Sequence, residues 1–337
     1  MTKEQAMEKL KTYGQEHVLA HFEECGSEEQ EALLSQIEDT DFSILEGYKH
    51  PQGGERGVFS PLAAMQRDEI LRREQEFHDA GVEAIRAGKT AALLLAGGMG
   101  TRLGSDNPKG MYDIGETQHV YIFQRIIENL LDVVNETGFA IRLFIMTSEK
   151  NHDATVAFLQ EHQFFGYDKD RVCFFKQDMA PACDRNGKVY MESRSRISTS
   201  PNGNAGWYTS MKKAGLLSII EDEKIEWIDV FAVDNVLQRI CDPCFVGATL
   251  LSKVSVGAKV VRKNAPDEKV GVMCLEDGRP SIVEYYELSQ EMADAKDENG
   301  DPAYNFGVIL NYLFHLPELR DLSEEAMPMH VVEKKIP

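Results

Sequence analysis

Glycines and two cations cluster in one stretch of the sequence, residues 91–115, which reads AALLLAGGMGTRLGSDNPKGMYDIG. Gly97 and Gly98 carry no side chain, so a ligand can approach their backbone closely. Arg102 and Lys109 follow within the same stretch. A turn rich in free N–H groups and flanked by two fixed cations is suited to binding a phosphorylated ligand.

Two common glycine-loop patterns do not fit this stretch. The dinucleotide-binding fingerprint requires a third glycine where Leu103 stands. The P-loop pattern fails because Lys109 follows Pro108 and precedes Gly110. The alternative interpretation is a simple turn, in which the glycines are needed only for the backbone conformation. The neighbouring Thr-Arg and Pro-Lys-Gly sequences disfavour it.

Alternating strands and helices must position these residues. The apolar run at 93–96 is typical of a buried strand of a parallel sheet. From residue 91 onward, strand patterns alternate with amphipathic helix patterns, which predicts an α/β fold with a Rossmann-like, mixed but mostly parallel sheet flanked by helices. Residues 1–88 are predicted to form an N-terminal helical region. In such sheets, ligands bind beyond the carboxyl ends of the strands.

Polar residues stand where predicted strands end. Gln177 follows the strand predicted at 172–175, and Asp234 follows the one at 227–233. A carboxylate facing a phosphate site is suited to holding Mg²⁺, which proteins commonly bind through one or two carboxylates and substrate phosphates. A helix N-cap is the alternative role for Asp234. The loop at 201–206, which includes Gly203 and Asn204, precedes a predicted helix and is also compatible with a simple turn.

The last third of the chain changes character. Two strands, over 270–275 and 281–287, are predicted to form a hairpin around Asp277-Gly278. Glu284 in the second strand could accept hydrogen bonds from sugar hydroxyls in a pocket, or it could point outward. A helix is predicted to begin near 304–307, and the acidic stretch at 290–302 is predicted to be an exposed loop.

The composition disfavours nucleic acid and membranes as binding partners. The 337 residues carry a formal net charge of −20, which opposes non-specific binding to nucleic acid or acidic membranes. There is no apolar run long enough to span a membrane and no apolar leader pattern, so a cytoplasmic location is expected. The pair Cys241 and Cys244 is a lone C-x-x-C, and a metal or redox role for it is disfavoured because no second pair stands at metal-site spacing.

Several motifs together resemble one family, the eukaryotic-type UTP–sugar-1-phosphate uridylyltransferases, and within it the UDP-N-acetylhexosamine pyrophosphorylases. The motifs are L-L-L-A-G-G-M-G-T-R-L-G…P-K-G-M-Y-D-I-G at 93–115, P-N-G-N-A-G at 201–206, V-D-N at 233–235, D-P-C-F-V-G at 242–247, V-G-V-M at 270–273, I-V-E-Y at 282–285 and H-V-V-E-K-K-I-P at 330–337. The resemblance implies a nucleotide-diphospho-sugar transferase type of fold. It also implies direct in-line transfer of a uridylyl group from UTP to a sugar 1-phosphate, with Mg²⁺ as cofactor.

The resemblance assigns roles to residues one by one. Arg102 and Lys109 are implied to be catalytic residues that bind the triphosphate of UTP. Asp234 is implied to bind Mg²⁺. The remaining roles are nucleotide binding and sugar binding. The nucleotide-binding residues are Gly97, Gly98, Gln177, Gly203 and Asn204, and the sugar-binding residues are Gly271, Glu284 and Asn305.

The resemblance also sets domain boundaries and leaves the sugar open. It implies a helical region over 1–88, a catalytic domain over 89–320, and the start of a truncated C-terminal region over 321–337. The sequence N-F-G-V at 305–308 replaces the N-A-G-N usual in the N-acetylhexosamine enzymes. N-Acetylglucosamine 1-phosphate is the expected acceptor, with glucose or galactose 1-phosphate as the alternative. A non-catalytic module that binds nucleotide sugars is a second alternative.

Overall fold

A computed structural model describes residues 1–45, 56–265 and 268–322. The chain packs into two compact units, which are described separately. Among the described residues, the first comprises 1–45 and 177–208, and the second comprises 56–176, 209–265 and 268–322. The motif at 330–337 and the predicted C-terminal region from 323 onward lie outside the described residues. The domain boundaries at 88/89 and 320/321 stay predictions.

The elements of the described residues are these. The strands are β1 (Phe59–Pro61), β2 (Thr90–Leu95), β3 (Arg142–Thr147), β4 (Val172–Lys176), β5 (Met179–Pro181), β6 (Met191–Ser193), β7 (Arg196–Ile197), β8 (Thr199–Pro201), β9 (Trp227–Ala232), β10 (Val256–Arg262), β11 (Val272–Glu276), β12 (Arg279–Val283) and β13 (Phe306–His315). The α-helices are α1 (Lys3–Thr12), α2 (Ser27–Asp39), α3 (Arg67–Arg72), α4 (Glu74–Arg86), α5 (Ile122–Thr137), α6 (His152–Glu161), α7 (Trp207–Lys213), α8 (Leu217–Asp222), α9 (Pro243–Leu251), α10 (Gln290–Asp294) and α11 (Leu316–Leu322).

The first unit combines α1 and α2 with two short antiparallel ribbons, β5–β8 and β6–β7. Its core is apolar and includes Leu10, Leu33 and Ile37. Gln15 is fully buried, and its Nε2 donates to the carbonyl oxygens of Tyr13 (3.1 Å) and Gly187 (2.7 Å). A buried side-chain amide therefore ties the helical part of this unit to its ribbon part.

A mixed sheet forms the centre of the second unit. Its strands run in the order β1-β11-β13-β9-β2-β3-β4, and β10 and β12 pair with β13 and β11. The central strands β9, β2, β3 and β4 are parallel, as the sequence predicts, whereas β13 joins β9 antiparallel. Every residue of β2 is buried, which explains its uninterrupted apolar sequence, because a parallel strand covered on both faces has no polar side.

The hairpin predicted in the last third is present, and the helix predicted after it is wrong. Asp277 (φ 50°) and Gly278 (φ 77°) form the turn between β11 and β12, with the positive φ angles that a two-residue hairpin requires. Residues 306–315 form strand β13 instead of a helix. The segment is rich in aromatic and β-branched residues, and it is held on one side by β9 and on the other by β10 and β11.

Strand β13 is interrupted by a bulge. Val308 pairs with Val260 and Tyr312 with Ala258, so three residues of β13 stand opposite the single residue Lys259. Leu310, in the middle of the three, adopts a left-handed backbone conformation with φ 53°. A branched residue in this region costs about 1–2 kcal/mol, and such strain is typical of functional sites.

Among residues 1–45, 56–265 and 268–322, no helix combines the length and the apolar composition needed to cross a lipid bilayer.

Candidate active site

Strands β2 and β9 bring the glycine loop and Asp234 to the same edge of the sheet. Leu95 pairs with Ala232, and the N–H of Val233 donates to the Leu95 carbonyl at 3.2 Å. Gly97 follows the end of one strand, and Asp234 follows the end of the other. The position predicted for a ligand, beyond the carboxyl ends of parallel strands, is therefore the place where these residues meet.

The glycine loop is closed by two backbone hydrogen bonds that bring Lys109 back beside Gly98. The Gly100 N–H donates to the Asn107 carbonyl at 2.8 Å, and the Lys109 N–H donates to the Gly98 carbonyl at 3.1 Å. Together they form an isolated antiparallel bridge between Met99 and Pro108. Lys109 consequently runs alongside Gly98, where its Cε is 4.0 Å from the position that a Cβ would take.

In the first part of this loop, residues 97–102, five backbone N–H groups make no hydrogen bond with any described residue. They belong to Gly97, Gly98, Met99, Thr101 and Arg102. Backbone donors that the fold does not use internally can bind an anion at low cost, as they do in phosphate-binding nests.

The two predicted cations differ in their surroundings. Lys109 Nζ forms an ion pair with the Asp234 carboxylate. Arg102 lies on a short 3₁₀ turn over Thr101–Leu103, is exposed, and forms no ion pair with the residues that the structure describes. Arg102 is thus available to a ligand, and Lys109 would exchange one anionic partner for another.

One cavity brings together two residues that the sequence assigns to different functions. It has a volume of about 380 Å³, with Asp234 and Glu284 both in its wall. The other lining residues are Ala232, Asn235, Ile282, Val308, Ile309, Leu310 and Tyr312. The cavity is therefore bounded by two carboxylates and an apolar wall, and the bulge of β13 supplies part of that wall.

The three predicted sugar-binding residues lie around β11, β12 and β13. A Cβ on Gly271 would be 3.2 Å from Glu284 Oε2, so the glycine makes room for that carboxylate. Asn305 is 5% exposed, and its Oδ1 is buried without a hydrogen-bond partner among the described residues. An unpaired buried acceptor costs free energy, so a hydrogen-bond donor brought to this position would be favourable.

Asp234 fits a magnesium ion that arrives with a nucleotide. In the described part of the chain, no group of three or more His, Cys, Asp or Glu side chains is placed to hold a metal. Mg²⁺ does not need such a group, because it usually binds through one or two carboxylates together with substrate phosphates. The Asp234 side chain is 64% exposed and stands beside the glycine loop, so its oxygens are accessible to a phosphate-bound cation.

The other predicted nucleotide-binding residues lie in the first unit, at one end of the β5–β8 ribbon. Met179 pairs with Pro201, and the Asn202 N–H donates to the backbone carbonyl of Asp178 at 3.1 Å. This pairing brings Gln177 close to Gly203 and Asn204. Gly203 has φ 77° and ψ 162°, a conformation that is essentially restricted to glycine.

Two features beside the candidate site are not evident from the sequence. The first is Asn151, a fully buried residue whose Nδ2 donates to the Ala96 carbonyl at 2.8 Å. Its position just before α6 is a sequence signal for a helix cap, but nothing in the sequence shows that the side chain faces the glycine loop.

The second is a buried polar network under the cavity. Asp229 is fully buried, which raises its pKa to about 6, and it accepts a 2.6 Å hydrogen bond from the Cys241 N–H. Asn311 Nδ2 donates to Gln238 Oε1 at 3.2 Å and lies 3.5 Å from Asp229 Oδ1. Gln238 Nε2 in turn donates to the carbonyl of Ala232 at 3.2 Å. The network therefore links β13 to the end of β9 that precedes Asp234.

Each cysteine of the C-x-x-C sequence has its thiol against a backbone carbonyl. The Cys241 thiol contacts the Ala91 carbonyl at 3.6 Å, and the Cys244 thiol contacts the Glu74 carbonyl at 3.5 Å. Burial raises the pKa of both thiols, which disfavours the thiolate that metal binding and disulfide exchange require. Both cysteines are free.

Known proteins match this architecture over most of the chain. The family model for UTP–glucose-1-phosphate uridylyltransferase matches residues 59–336. UDP-N-acetylglucosamine pyrophosphorylase of Saccharomyces cerevisiae is 36% identical over 98% of this chain and 71% of its own length. UDP-N-acetylglucosamine diphosphorylase 2 of Arabidopsis thaliana is 35% identical over 98% of this chain and 71% of its own length.

A solved structure agrees with the fold. The uridine diphosphate N-acetylglucosamine pyrophosphorylase of Trypanosoma brucei superposes with a TM-score of 0.83 at 27% identity, over 96% of this chain and 68% of that one. The predicted Rossmann-like α/β fold and the predicted family resemblance are both confirmed. The chain belongs to the UTP–glucose-1-phosphate uridylyltransferase family.

Proposed function

We propose that this protein transfers a uridylyl group from UTP to N-acetylglucosamine 1-phosphate, forming UDP-N-acetylglucosamine and pyrophosphate. The observation that carries the proposal is the single cavity whose wall contains Asp234 at the glycine-loop edge and Glu284 at the hairpin. A site of this kind can hold a phosphate group and a sugar next to each other. The relatives that match nearly the whole chain are named for the N-acetylglucosamine reaction.

The glycine loop is the proposed site of the UTP phosphates. Its unused N–H groups supply neutral donors, and Arg102 and Lys109 supply the positive charge that a triphosphate requires. Backbone groups of Gly97 and Gly98 contact the uridine in this proposal. Since the protein carries a net charge of −20, locally concentrated donors and cations are what make binding of an anionic nucleotide favourable.

The remaining predicted site residues are proposed to supply specificity for the base and the sugar. Gln177, Gly203 and Asn204 are proposed to recognise uracil and the nucleotide-facing side of the sugar. Glu284 is proposed to accept hydrogen bonds from sugar hydroxyls, and Gly271 and Asn305 are proposed to line the sugar pocket. The apolar side chains of the cavity wall fit the methyl group of an acetamido substituent.

The reaction follows from this arrangement without a covalent enzyme intermediate. A phosphate oxygen of the sugar 1-phosphate attacks the α-phosphorus of UTP, and the bond from that phosphorus to the bridging oxygen of the leaving pyrophosphate breaks. Arg102 and Lys109 stabilise the charge that gathers on the transferring and leaving groups. Alignment of the two substrates in one cavity supplies the remaining rate acceleration. Mg²⁺, held by Asp234 and the phosphates, would neutralise phosphate charge and orient the α-phosphate.

A direct assay tests the proposal. The chain is incubated with UTP, Mg²⁺ and one of three acceptors, the 1-phosphates of N-acetylglucosamine, glucose and galactose, and release of pyrophosphate is measured. We expect the highest kcat/KM with N-acetylglucosamine 1-phosphate. Faster turnover of glucose or galactose 1-phosphate would change the assigned sugar. Binding of UDP-N-acetylglucosamine without pyrophosphate release from any acceptor would show a binding module instead of an enzyme.

A cytoplasmic location is part of the proposal. All six cysteines are free, including partly exposed ones such as Cys25, which agrees with a reducing compartment. Fractionation of cells that express the tagged chain tests this part separately from activity.

A further inference from the structure

We propose that Asn151 is a positioning residue for nucleotide binding: its side-chain amide holds two peptide groups of the glycine loop so that their N–H groups face the bound UTP. The inference rests on the function proposed for the same site, and it adds a residue that belongs to neither the glycine loop nor the cavity wall.

Every polar atom of the Asn151 side chain is engaged. Its Nδ2 donates to the carbonyl oxygens of Ala96 (2.8 Å) and Gly98 (3.3 Å). Its Oδ1 accepts a 2.8 Å hydrogen bond from the Ser148 N–H at the end of β3. The residue is fully buried, so no water competes for these bonds. The start of the glycine loop is therefore tied to the end of the neighbouring strand.

These bonds determine where the free N–H groups of the loop point. In a trans peptide group, the C=O and the N–H point in opposite directions. The Ala96 carbonyl shares its peptide group with the Gly97 N–H, and the Gly98 carbonyl shares its own with the Met99 N–H. Because Asn151 holds both carbonyls toward itself, both N–H groups point away from it. Neither N–H has an acceptor among the described residues, so both are available to an anion.

The side chain is not used for the local purpose that its sequence position suggests. Asn151 stands directly before α6, where an asparagine side chain usually accepts a hydrogen bond from the first turn of its helix. Here it makes no such bond, although its backbone carbonyl accepts the Thr155 N–H at 2.9 Å. The helix thus anchors the residue through the backbone, and the amide is left to hold the loop.

Two variants of the full chain test the inference. Asn151→Asp keeps an oxygen for Ser148 but places an acceptor against two carbonyls, and Asn151→Ala removes the contact without adding charge. We expect the KM for UTP to rise about tenfold or more in both, because a small displacement of a binding group costs that much. The KM for the sugar 1-phosphate should change by no more than about twofold, since none of residues 97–102 lines the cavity proposed for the sugar.

A matched control separates positioning from general stability. Gln15 in the first unit is also fully buried, donates two hydrogen bonds to carbonyl oxygens and accepts one from the Val189 N–H at 3.1 Å. Gln15→Glu should lower the midpoint of urea unfolding to an extent similar to that of Asn151→Asp and leave the KM for UTP unchanged. An unchanged UTP KM in both Asn151 variants, or equal increases in both substrate KM values, would overturn the inference.

A measurement without substrate keeps the two proposals distinguishable. Hydrogen–deuterium exchange at the Gly100 and Lys109 amides, both bonded within the loop, should be about tenfold faster in Asn151→Ala than in the wild type, because the loop loses its anchor. If the wild-type chain transfers no uridylyl group, the proposed function fails, and this readout still reports on the anchor. If exchange at both amides is unchanged, the inference fails even when the enzyme is active.

Discussion

Lys109 and Asp234 are 125 residues apart in the sequence and form an ion pair at the carboxyl edge of the parallel strands. The lysine side chain is 21% exposed and the aspartate 64% exposed. Exposed pairs of this kind contribute only about 0–1 kcal/mol to stability. We therefore expect the pair to separate when substrate binds, with Lys109 moving to a phosphate oxygen and Asp234 to the cation that the phosphates carry.

Lys109→Ala should reduce kcat roughly 100-fold or more, because removing one charged stabiliser of a transition state has an effect of that size. The midpoint of thermal unfolding should change little, since the Asp234 partner of the ion pair is 64% exposed and such pairs contribute little to stability. Pyrophosphate release and circular dichroism measure the two quantities. Lys89→Ala is the matched control, because Lys89 also pairs with a carboxylate, Glu226 at 3.0 Å, at the opposite ends of the same strands. Near-normal kcat in Lys109→Ala would contradict the assignment.

Asp234→Asn should raise the Mg²⁺ concentration needed for half-maximal activity about tenfold or more, because an amide is a weaker ligand for a hard cation than a carboxylate. The assay is repeated over a range of Mg²⁺ concentrations at saturating UTP. Glu226→Gln, which removes the carboxylate of the control pair, should leave the Mg²⁺ dependence unchanged. A half-maximal Mg²⁺ concentration equal to that of the wild type would show that Asp234 does not hold the cation.

Gly98→Ala should raise the KM for UTP without lowering stability. The nearest atom to a Cβ at this position is Lys109 Cε at 4.0 Å, and φ is outside the left-handed region, so the fold itself accepts alanine. The methyl group would occupy space that we assign to the nucleotide. Gly26→Ala is the control, because its Cβ also meets nothing closer than 3.8 Å and it lies in the first unit. An unchanged UTP KM in Gly98→Ala would place the nucleotide elsewhere.

Gly271→Ala should have the complementary effect and raise the KM for the sugar 1-phosphate several-fold, with the UTP KM unchanged. Its Cβ would lie 3.2 Å from Glu284 Oε2 and 3.3 Å from Val308 Cγ2, so the carboxylate must move. Glu284→Gln, which keeps the shape and removes the charge, should raise the same KM. Equal KM values for wild type and both variants would remove Gly271 and Glu284 from the sugar site.

Asp229→Asn should stabilise the protein above pH 6. Burial raises the pKa of this carboxyl from its ordinary value of 3.8 to about 6 in the folded state. The folded protein then binds the proton more tightly than the unfolded chain, so the contribution to stability is fully present below about pH 4 and is lost as the pH rises to about 6. Urea unfolding at pH 4, 5, 6 and 7 should show a difference between variant and wild type that grows from pH 4 to pH 6 and then stays constant. A difference independent of pH would show that Asp229 titrates normally.

The residues around β2 and β9 were predictable from the sequence because local patterns determine them. An apolar run bounded by glycines predicts a buried parallel strand and its ligand loop, and a polar residue at the end of a second such run predicts the facing position of Asp234. Parallel pairing alone places Asp234 beside the start of the glycine loop. The position of Lys109 depends in addition on the bridge between Met99 and Pro108, which the sequence does not reveal.

The sugar side of the site was less predictable, because it depends on how β13 pairs. The sequence predicts a helix beginning near 304–307, whereas residues 306–315 form the strand that connects the β11–β12 hairpin to β9. The long-range pairing of β13 overrides that local pattern. The role of Asn151 was not predictable for a related reason. A polar residue before a helix predicts a helix cap, and only the folded chain shows that its amide donates to the carbonyls that follow β2.

The bulge at Leu310 restricts how the specificity of this protein could be re-engineered. Side chains of a strand alternate between two faces, so removing or adding one residue between Val308 and Asn311 would exchange the faces of every residue on one side of the change. Asn311, which pairs with Phe231 and lies buried over Asp229, would leave the network beneath the cavity. Libraries intended to alter the accepted sugar should therefore vary residue identity in this segment and hold its length constant.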